Sequence, residues 1–304
     1  MSGEHCLAPL QLADPDRHPW DEAADLVVFG FGGAGAAAAI QAAELGADVV
    51  AVDRFSGGGA TAFSGGIIYA GGGTRVQREA QVADDPDNMH RYLAQEVGDV
   101  VDDATLRQYC ALSAATIDWL TSLGVPFKDV PFPEKTGYPP DGYYLYYSGN
   151  EALPAMKKIA PPAMRGHRPV GIGMGDQYLF SALRAAAVRT GVRLMTHAPV
   201  TQLITDAPGR LIGVTVLDLD AGQRAAHQRC YNKVIPMRPF MNSVIERQRA
   251  RAGKIEAAAA GTRHIRARLG VIFATGGFVV RDKRRIGIKE TCCNPPAVRP
   301  ALNS

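Results

Sequence analysis

A glycine-rich turn near the start of the chain has the residue types and spacing that bind a dinucleotide. Residues 30–35 read Gly-Phe-Gly-Gly-Ala-Gly, between an apolar run and an alanine-rich stretch of high helix propensity. Gly30 permits a tight turn, Gly32 lets the backbone approach a pyrophosphate, and Gly35 lets the helix lie close to the strand. The positive end of the helix dipole then faces the phosphates. The candidate cofactor-binding residues of this turn are Gly30, Gly32, Gly33, Ala34 and Gly35.

A carboxylate follows at the distance expected of a residue that binds the ribose. Asp53 comes directly after a second apolar run, residues 48–52, roughly 20 residues beyond the turn. Arg54 stands next to it, and an arginine at this place can accommodate a 2′-phosphate. The acid favours an unphosphorylated ribose, and the arginine leaves the alternative open. Strand, turn, helix, strand and acid in this order predict a bound dinucleotide rather than a glycine turn without a ligand.

A second glycine-rich stretch follows directly, over residues 54–74. Glycines leave backbone N–H groups uncovered, and the hydroxyls of Ser56, Thr61, Ser64 and Thr74 can donate to phosphate or ring acceptors. We therefore expect this stretch to wrap closely around a flat polar ligand. A simple nicotinamide dehydrogenase has no evident need for it, which speaks against an NAD-dependent enzyme.

Several separated motifs together resemble the fumarate reductase and 3-ketosteroid dehydrogenase flavoprotein superfamily. They are the turn at 30–35, Asp53-Arg54, the runs at 58–61 and 64–66, and Ala274-Thr275-Gly276-Gly277-Phe278. GGATAFSGGIIYAGGGT, YYSGNE and RGHRP look most like the 3-ketosteroid dehydrogenases, the Δ4-(5α) type especially. The resemblance covers about residues 25–280. It implies an α/β fold: a Rossmann-like FAD-binding domain with a parallel central sheet and a β-meander, plus an incomplete substrate or cap region.

The resemblance implies non-covalent FAD held by these motifs. Residues 58–61 and 64–66 would pass along the pyrophosphate and ribityl chain toward the isoalloxazine ring, and Val200 would stand where the family's backbone passes the adenine. The residues implied are Gly58, Gly59, Ala60, Thr61, Ser64, Gly65, Gly66, Val200, Ala274, Thr275, Gly276 and Gly277. No catalytic residue is implied, because the family's carbonyl-polarising tyrosines lie mainly in sequence beyond this chain.

The middle of the chain predicts two helices and then a proline-rich loop. Residues 84–125 carry apolar side chains at helical spacing, with Asp85 before one helix and Asp102 or Asp103 before a longer one. Residues 126–170 hold nine of the twenty prolines, which predicts a long ordered loop with one short strand near 143–147. Its tyrosines either line a flat apolar substrate or pack the loop onto the domain: Tyr138, Tyr143, Tyr144, Tyr146 and Tyr147.

The remaining segments predict helices, a strand and two ends outside the domain. Residues 222–268 are rich in arginine and predict an amphipathic helical excursion with a solvated basic face, before a buried strand over 269–274. Residues 1–24 are expected to be a leader to the first strand, and residues 281–304 a divergent, disordered tail. His167 and His197 are expected to be structural or solvent-facing rather than catalytic.

Composition argues against several classes of protein. A net charge of +3 over 304 residues gives no general case for nucleic acid, and no apolar run reaches the length of a bilayer. Five cysteines without ligand spacing predict no metal site and a reducing compartment. We therefore expect a cytoplasmic protein.

The resemblance implies an FAD-dependent oxidoreductase that dehydrogenates a 3-ketosteroid or similar apolar ketone, with a hydride passing to flavin N5. One alternative is a truncated FAD-binding module without turnover, since the family continues well beyond this chain. A fumarate-reductase-like flavoprotein is another, although the arginine and histidine cluster that it needs does not show in the family's pattern. The substrate would be a small molecule, and the sequence leaves the electron acceptor and oligomeric state open.

Overall fold

The computed structural model describes residues 7–234 and 242–276. The chain divides into two compact units. The first unit comprises Met1–Ala60 with Ala187–Ser304, and the second unit comprises Thr61–Ala186. The predicted single domain over 25–280 is thus interrupted by a separate unit, and its outer bounds stay a prediction.

The described residues form strands and helices in the following order. The strands are β1 (Leu10–Leu12), β2 (Glu22–Phe29), β3 (Val49–Val52), β4 (Ile68–Tyr69), β5 (Pro131–Lys135), β6 (Leu145–Tyr147), β7 (Gly166–His167), β8 (Arg193–Met195), β9 (Val200–Asp206), β10 (Leu211–Asp218) and β11 (Gly261–Phe273). The helices are α1 (Gly33–Glu44), α2 (Arg75–Glu79), α3 (Pro86–Val97), α4 (Asp103–Ser122), α5 (Asp176–Arg189), α6 (Ala221–Val234) and α7 (Asn242–Ala257).

The first unit is built on a seven-stranded sheet in the order β1-β9-β10-β11-β2-β3-β8. β11, β2, β3 and β8 run parallel, whereas β9, β10 and β11 form an antiparallel meander. β3 reads Val-Val-Ala-Val and all four residues are buried, as expected of a parallel strand covered on both faces. The predicted Rossmann-like α/β class with a β-meander is confirmed.

Strand register brings three chain segments to one edge of this sheet. Phe29 at the end of β2 pairs with Val52 at the end of β3 and with Phe273 at the end of β11. Because these strands are parallel, the residues that follow them leave the sheet side by side. α1 packs nearby through a buried face of small side chains, which the alanine-rich sequence provides.

The second unit has a small four-stranded sheet in the order β4-β7-β6-β5. Its apolar cluster consists of Ala70, Val76, Ile117, Leu145 and Met164. The two predicted helices are confirmed as α3 and α4. Asp85 caps α3 by accepting from the backbone N–H of Asn88, and Asp102 caps α4 by accepting from that of Thr105.

The prediction of one strand within residues 126–170 was wrong, because this segment contains β5, β6 and β7. Pro131 and Pro133 lie in β5, which pairs only with β6 and so forms the edge of the sheet. An edge strand tolerates residues that lack an N–H donor. Strand pairing in the folded protein therefore outweighs the local tendency of prolines to disfavour strands.

Two predictions for the first unit also need correction. Residues 221–234 and 242–257 are helical as predicted, but β11 already begins at Gly261, so residues 261–268 are strand. Their arginines lie in ion pairs, since Arg263 contacts Glu22 and Arg268 contacts Asp25 and Asp48. The predicted solvated basic face is therefore wrong for this part. The predicted leader contributes β1, which pairs with β9, and the first residues of β2.

Candidate functional site

The three segments that leave the sheet edge are joined by backbone hydrogen bonds. Gly30 N–H donates to the Val52 carbonyl at 2.8 Å, and Ala274 N–H donates to the Phe29 carbonyl at 2.8 Å. Gly58 N–H donates to the Phe31 carbonyl at 2.7 Å. The glycine turn, the segment after β3 and the segment after β11 therefore form one rigid surface in the first unit.

Gly30 and Gly35 are required by the protein's own packing. Gly30 has φ +98°, and a Cβ there would lie 2.5 Å from the Ala274 carbonyl oxygen. A Cβ on Gly35 would collide with the Gly30 carbonyl oxygen. These two glycines let strand, turn and helix approach each other, as the spacing predicts.

Gly32 has a different environment, which fits a ligand. Its φ and ψ, −90° and −161°, suit any residue, and a Cβ there would lie 3.7 Å from the Gly58 carbonyl oxygen, an ordinary contact. Gly32 is the N-cap of α1, with no side-chain cap and no acidic residue in the first turn. A Cβ would project into the cradle between Gly32 and Gly59, at the N-terminal end of α1, where the helix dipole favours an anion. This cradle fits a diphosphate.

The Asp53 carboxylate is held in place beside the cradle. It accepts the backbone N–H of Phe31 and of Phe55, each at 2.8 Å. Each carboxylate oxygen has two lone pairs, so both retain capacity for a ribose hydroxyl.

The Arg54 side chain pairs with Glu256. Its Nε and Nη2 donate to the two carboxylate oxygens of Glu256 at 2.8 and 3.0 Å. Burial alone would raise the pKa of Glu256, but hydrogen bonds from His227 and Arg54 hold this pKa below its usual range. Glu256 and His227 were not singled out from the sequence, because Glu256 lies 202 residues from Arg54 and no local motif links them.

The other predicted residues of the first unit lie at several places around this surface. Gly58 and Gly59 have φ +96° and +49°, beside the Gly32 cradle, and Ala60 follows them. Ala274 and Thr275 lie against Gly30, followed by Gly276 at φ +78°. Val200 begins β9, pairs with Val216 and packs on the apolar core. Gly277 lies outside the described residues.

In the second unit the predicted glycines are enclosed by their own surroundings. Ser64 Oγ donates to the Thr61 carbonyl at 3.2 Å, and Gly65 N–H donates to the Asp176 carboxylate at 3.3 Å. Gly66 has φ +71°, and a Cβ there would collide with Gly175 and Asp176. Thr74 does not fit the predicted role of donor to a phosphate or ring, because its side chain is buried, caps α2 and contacts His167 Nε2.

The tyrosines of residues 138–147 do not form one wall. Tyr138 and Tyr144 flank the Arg168 guanidinium, with ring centroids 4.9 and 5.7 Å from its Cζ. Tyr146 is buried, and burial raises its pKa to about 12. For these three, the packing alternative is confirmed.

A buried polar cluster in the second unit was not predicted. Arg165 and Asp84 form an ion pair at 2.8 and 2.9 Å, and neither side chain is exposed. Glu151 accepts a hydrogen bond from Tyr69 at 2.8 Å, and burial raises the pKa of this carboxyl. His167 is fully buried nearby, which confirms its expected structural character.

Comparison with known proteins connects this geometry to a family. The family model described as FAD binding domain matches residues 25–299. The chain belongs to this family. FAD is therefore its cofactor, as predicted. The match extends past residue 280, where the resemblance was expected to end, and the predicted disorder of residues 281–304 lies outside the described residues.

Relatives in the FAD binding domain family include steroid dehydrogenases and fumarate reductases. The 3-oxo-5-alpha-steroid 4-dehydrogenase of Comamonas testosteroni is 38% identical over 260 residues, 81% of this chain and 48% of that protein. The fumarate reductase (cytochrome) of Shewanella frigidimarina is 26% identical over 200 residues, 65% of this chain and 30% of that protein.

A solved structure gives the same relationship. The 3-ketosteroid-Δ4-(5α)-dehydrogenase from Rhodococcus jostii RHA1, in complex with 4-androstene-3,17-dione, matches with a TM-score of 0.70 and 34% identity. The match covers 90% of this chain and 49% of that one. The predicted resemblance to the 3-ketosteroid dehydrogenases is confirmed, and the chain spans about half the length of these steroid dehydrogenase relatives.

Two kinds of feature are absent from the part of the chain that the structure describes. Within it, no helix combines the length and apolar character needed to cross a bilayer. The same residues contain no group of three or more His, Cys, Asp or Glu placed to hold a metal ion. The cytoplasmic location stays a prediction.

Proposed function

We propose that this chain holds FAD for the dehydrogenation of a 3-ketosteroid or similar apolar ketone. The observation that carries the proposal is 38% identity to a 3-oxo-5-alpha-steroid 4-dehydrogenase. The Gly32 cradle is an independent reason to expect a bound dinucleotide. When bound, FAD supplies the hydride acceptor for this class of reaction.

We propose the following division of labour for the cofactor-binding residues. Backbone groups of Gly32, Gly33, Ala34 and the start of α1 hold the diphosphate, and Asp53 accepts a ribose hydroxyl. Gly30 and Gly35 shape the turn. The other residues proposed for the FAD site are Arg54, which follows Asp53, and Gly58, Gly59, Ala60, Thr61, Ser64, Gly65, Gly66, Val200, Ala274, Thr275, Gly276 and Gly277.

The first test measures cofactor binding. The purified chain is titrated with FAD while flavin fluorescence and visible absorbance are recorded. We expect saturable binding with one FAD per chain. A folded protein that takes up no FAD at high excess contradicts the proposed site.

The second test measures activity with two candidate substrates. The FAD-loaded chain is mixed with a 5α-saturated 3-ketosteroid and an artificial electron acceptor dye, and separately with fumarate and a reduced dye. We expect dye reduction that depends on the steroid. Bound FAD without steroid-dependent reduction supports the alternative of an FAD-binding module, whereas fumarate-dependent dye oxidation supports a fumarate-reductase-like protein.

A further inference from the structure

Residues 54–57, which lead from Asp53 toward Gly58, are held by the two helices of the arginine-rich excursion. The Phe55 ring stacks on two α6 side chains, His227 and Tyr231, with centroid distances of 4.7 Å to each and interplanar angles of 13° and 12°. The Tyr231 hydroxyl donates to the Gly57 carbonyl at 3.4 Å. α6 therefore fixes the course of this segment.

The second helix, α7, binds the charged residue of this segment, Arg54. Glu256 lies in the last turn of α7, and its side chain is only 13% exposed. It binds Arg54 through two parallel hydrogen bonds and also accepts from His227 Nε2 at 2.9 Å. A carboxylate near a helix C-terminus opposes the helix dipole, so helix stability does not account for this residue. Its contacts with Arg54 and His227 do.

The partner of Arg54 matters because Arg54 directly follows Asp53, the proposed ribose-binding residue. A guanidinium next to Asp53 has two other uses: it can pair with the Asp53 carboxylate and compete with the ribose, or it can bind a 2′-phosphate. The bidentate geometry with Glu256 commits two of its N–H groups elsewhere. Within the described residues, the side-chain carboxylate of Asp53 instead accepts hydrogen bonds from the backbone N–H groups of Phe31 and Phe55.

We propose that Glu256 is a specificity-determining residue of the adenosine site. By holding Arg54 it keeps the Asp53 carboxylate for free ribose hydroxyls, and it withholds from a 2′-phosphate the cation that would bind it. The inference rests on the proposed cofactor site and adds to it a discrimination between ribose and 2′-phosphoribose nucleotides. It also assigns a role to the α6 and α7 excursion.

The test compares two competitors that differ only in the 2′-phosphate. 5′-AMP and adenosine 2′,5′-bisphosphate are each titrated against FAD bound to the full chain, with flavin fluorescence as the readout. In the unchanged protein we expect 5′-AMP to compete at least as well as the bisphosphate. In Glu256→Gln the ratio of the two inhibition constants should move toward the bisphosphate by about tenfold, since a charge-assisted contact becomes available.

Three further variants make the result specific. Arg54→Gln combined with Glu256→Gln should return the ratio to that of the unchanged protein, because the cation is gone. Glu246→Gln, an exposed glutamate on the same helix, should leave the ratio unchanged. Glu256→Asp retains the charge but shortens the reach, and it should shift the ratio in the same direction, which keeps the test decisive if the glutamine variant fails to fold.

Two outcomes would overturn the inference. If FAD binds and both Glu256 variants that fold leave the ratio within twofold of the unchanged protein, Glu256 does not set specificity while the proposed cofactor site stands. If the unchanged chain binds no FAD, the proposed site itself fails and this inference fails with it.

Discussion

The glycine turn of the first unit and the glycine loop of the second unit look alike in sequence but differ in what surrounds them. At Gly32 a Cβ would meet only ordinary contacts at 3.7 and 4.0 Å, at the N-terminal end of α1. At Gly66 a Cβ would collide with Gly175 and Asp176. Packing within the fold is enough to account for a glycine at position 66, whereas at position 32 the fold leaves room for a side chain and a bound ligand accounts for the glycine.

The acidic residues of the two units differ in the same way. Asp53 is anchored by two backbone N–H groups at the sheet edge and retains acceptor capacity. Asp84 is enclosed, and it accepts from Arg165, Asn88, Gln77 and the backbone of Gly72. The first carboxylate is available to bind, and the second is committed to structure.

Removing the charge of Asp84 should have the largest effect. Asp84→Asn leaves the buried Arg165 guanidinium without its counter-charge, so we expect the free energy of unfolding to fall by roughly 3–5 kcal/mol. Urea denaturation measures this, with Asp118→Asn, an exposed acid on α4, as the control. A loss no larger than that of the control would contradict the enclosed role of Asp84.

A methyl group at Gly66 should have the next largest effect. Gly66→Ala adds a clash with residues 175–176 to a φ of +71°, so we expect a loss of roughly 2–3 kcal/mol of stability. Gly137→Ala is the matched control, because a Cβ there has no neighbour within 4 Å. Equal urea midpoints for the two variants would remove the contrast between Gly66 and Gly32.

The same methyl group at Gly32 should act on binding instead of folding. Gly32→Ala fills the cradle without a clash, so the free energy of unfolding from urea denaturation should fall by no more than about 1 kcal/mol, the cost of alanine at an N-cap. FAD affinity should fall about a hundredfold, because the backbone no longer approaches the diphosphate. Gly270→Ala, with no atom within 4 Å of its added Cβ, controls for loss of glycine in the first unit. Unchanged FAD affinity in Gly32→Ala would rule out the cradle as the diphosphate site.

Sequence reasoning reached the features of the fold that local patterns encode. The turn at Gly30, the two helix starts at Asp85 and Asp102, and the antiparallel pairing of β9 with β10 all depend on neighbours a few residues away. It missed the start of β11 at Gly261, because that end of the strand is defined by pairing with β10 on the other side of α6 and α7, Gly261 with Asp218.

The difference between the two glycine regions was likewise beyond local patterns. Gly65 and its partner Asp176 are 111 residues apart, so nothing in the glycine loop itself reveals that it is enclosed. The same holds for Arg54, whose partner Glu256 decides how the residue beside the ribose acid is used. Long-range contacts determine which glycines and which charges remain available for a ligand.

The enclosed character of the second unit also predicts a pH dependence, the smallest of these effects. His167 donates through Nδ1 to the Arg165 carbonyl at 3.0 Å, so its Nε2 accepts from the Thr74 hydroxyl at 2.9 Å. Burial lowers the pKa of His167 from 6.5 to about 4. Between these two values the unfolded chain binds more protons than the folded one, so stability falls as the pH falls through this window.

His167 should therefore contribute a loss of roughly 2 kcal/mol between pH 7 and pH 5. The measurement is the difference in urea midpoint between these two pH values for the unchanged protein and for His167→Asn. The asparagine amide can still donate to the Arg165 carbonyl but does not titrate, so its pH dependence should be smaller by that amount. Parallel profiles for the two proteins would mean that His167 is protonated without cost, and that this part of the second unit is more open to water than the enclosed glycine loop beside it.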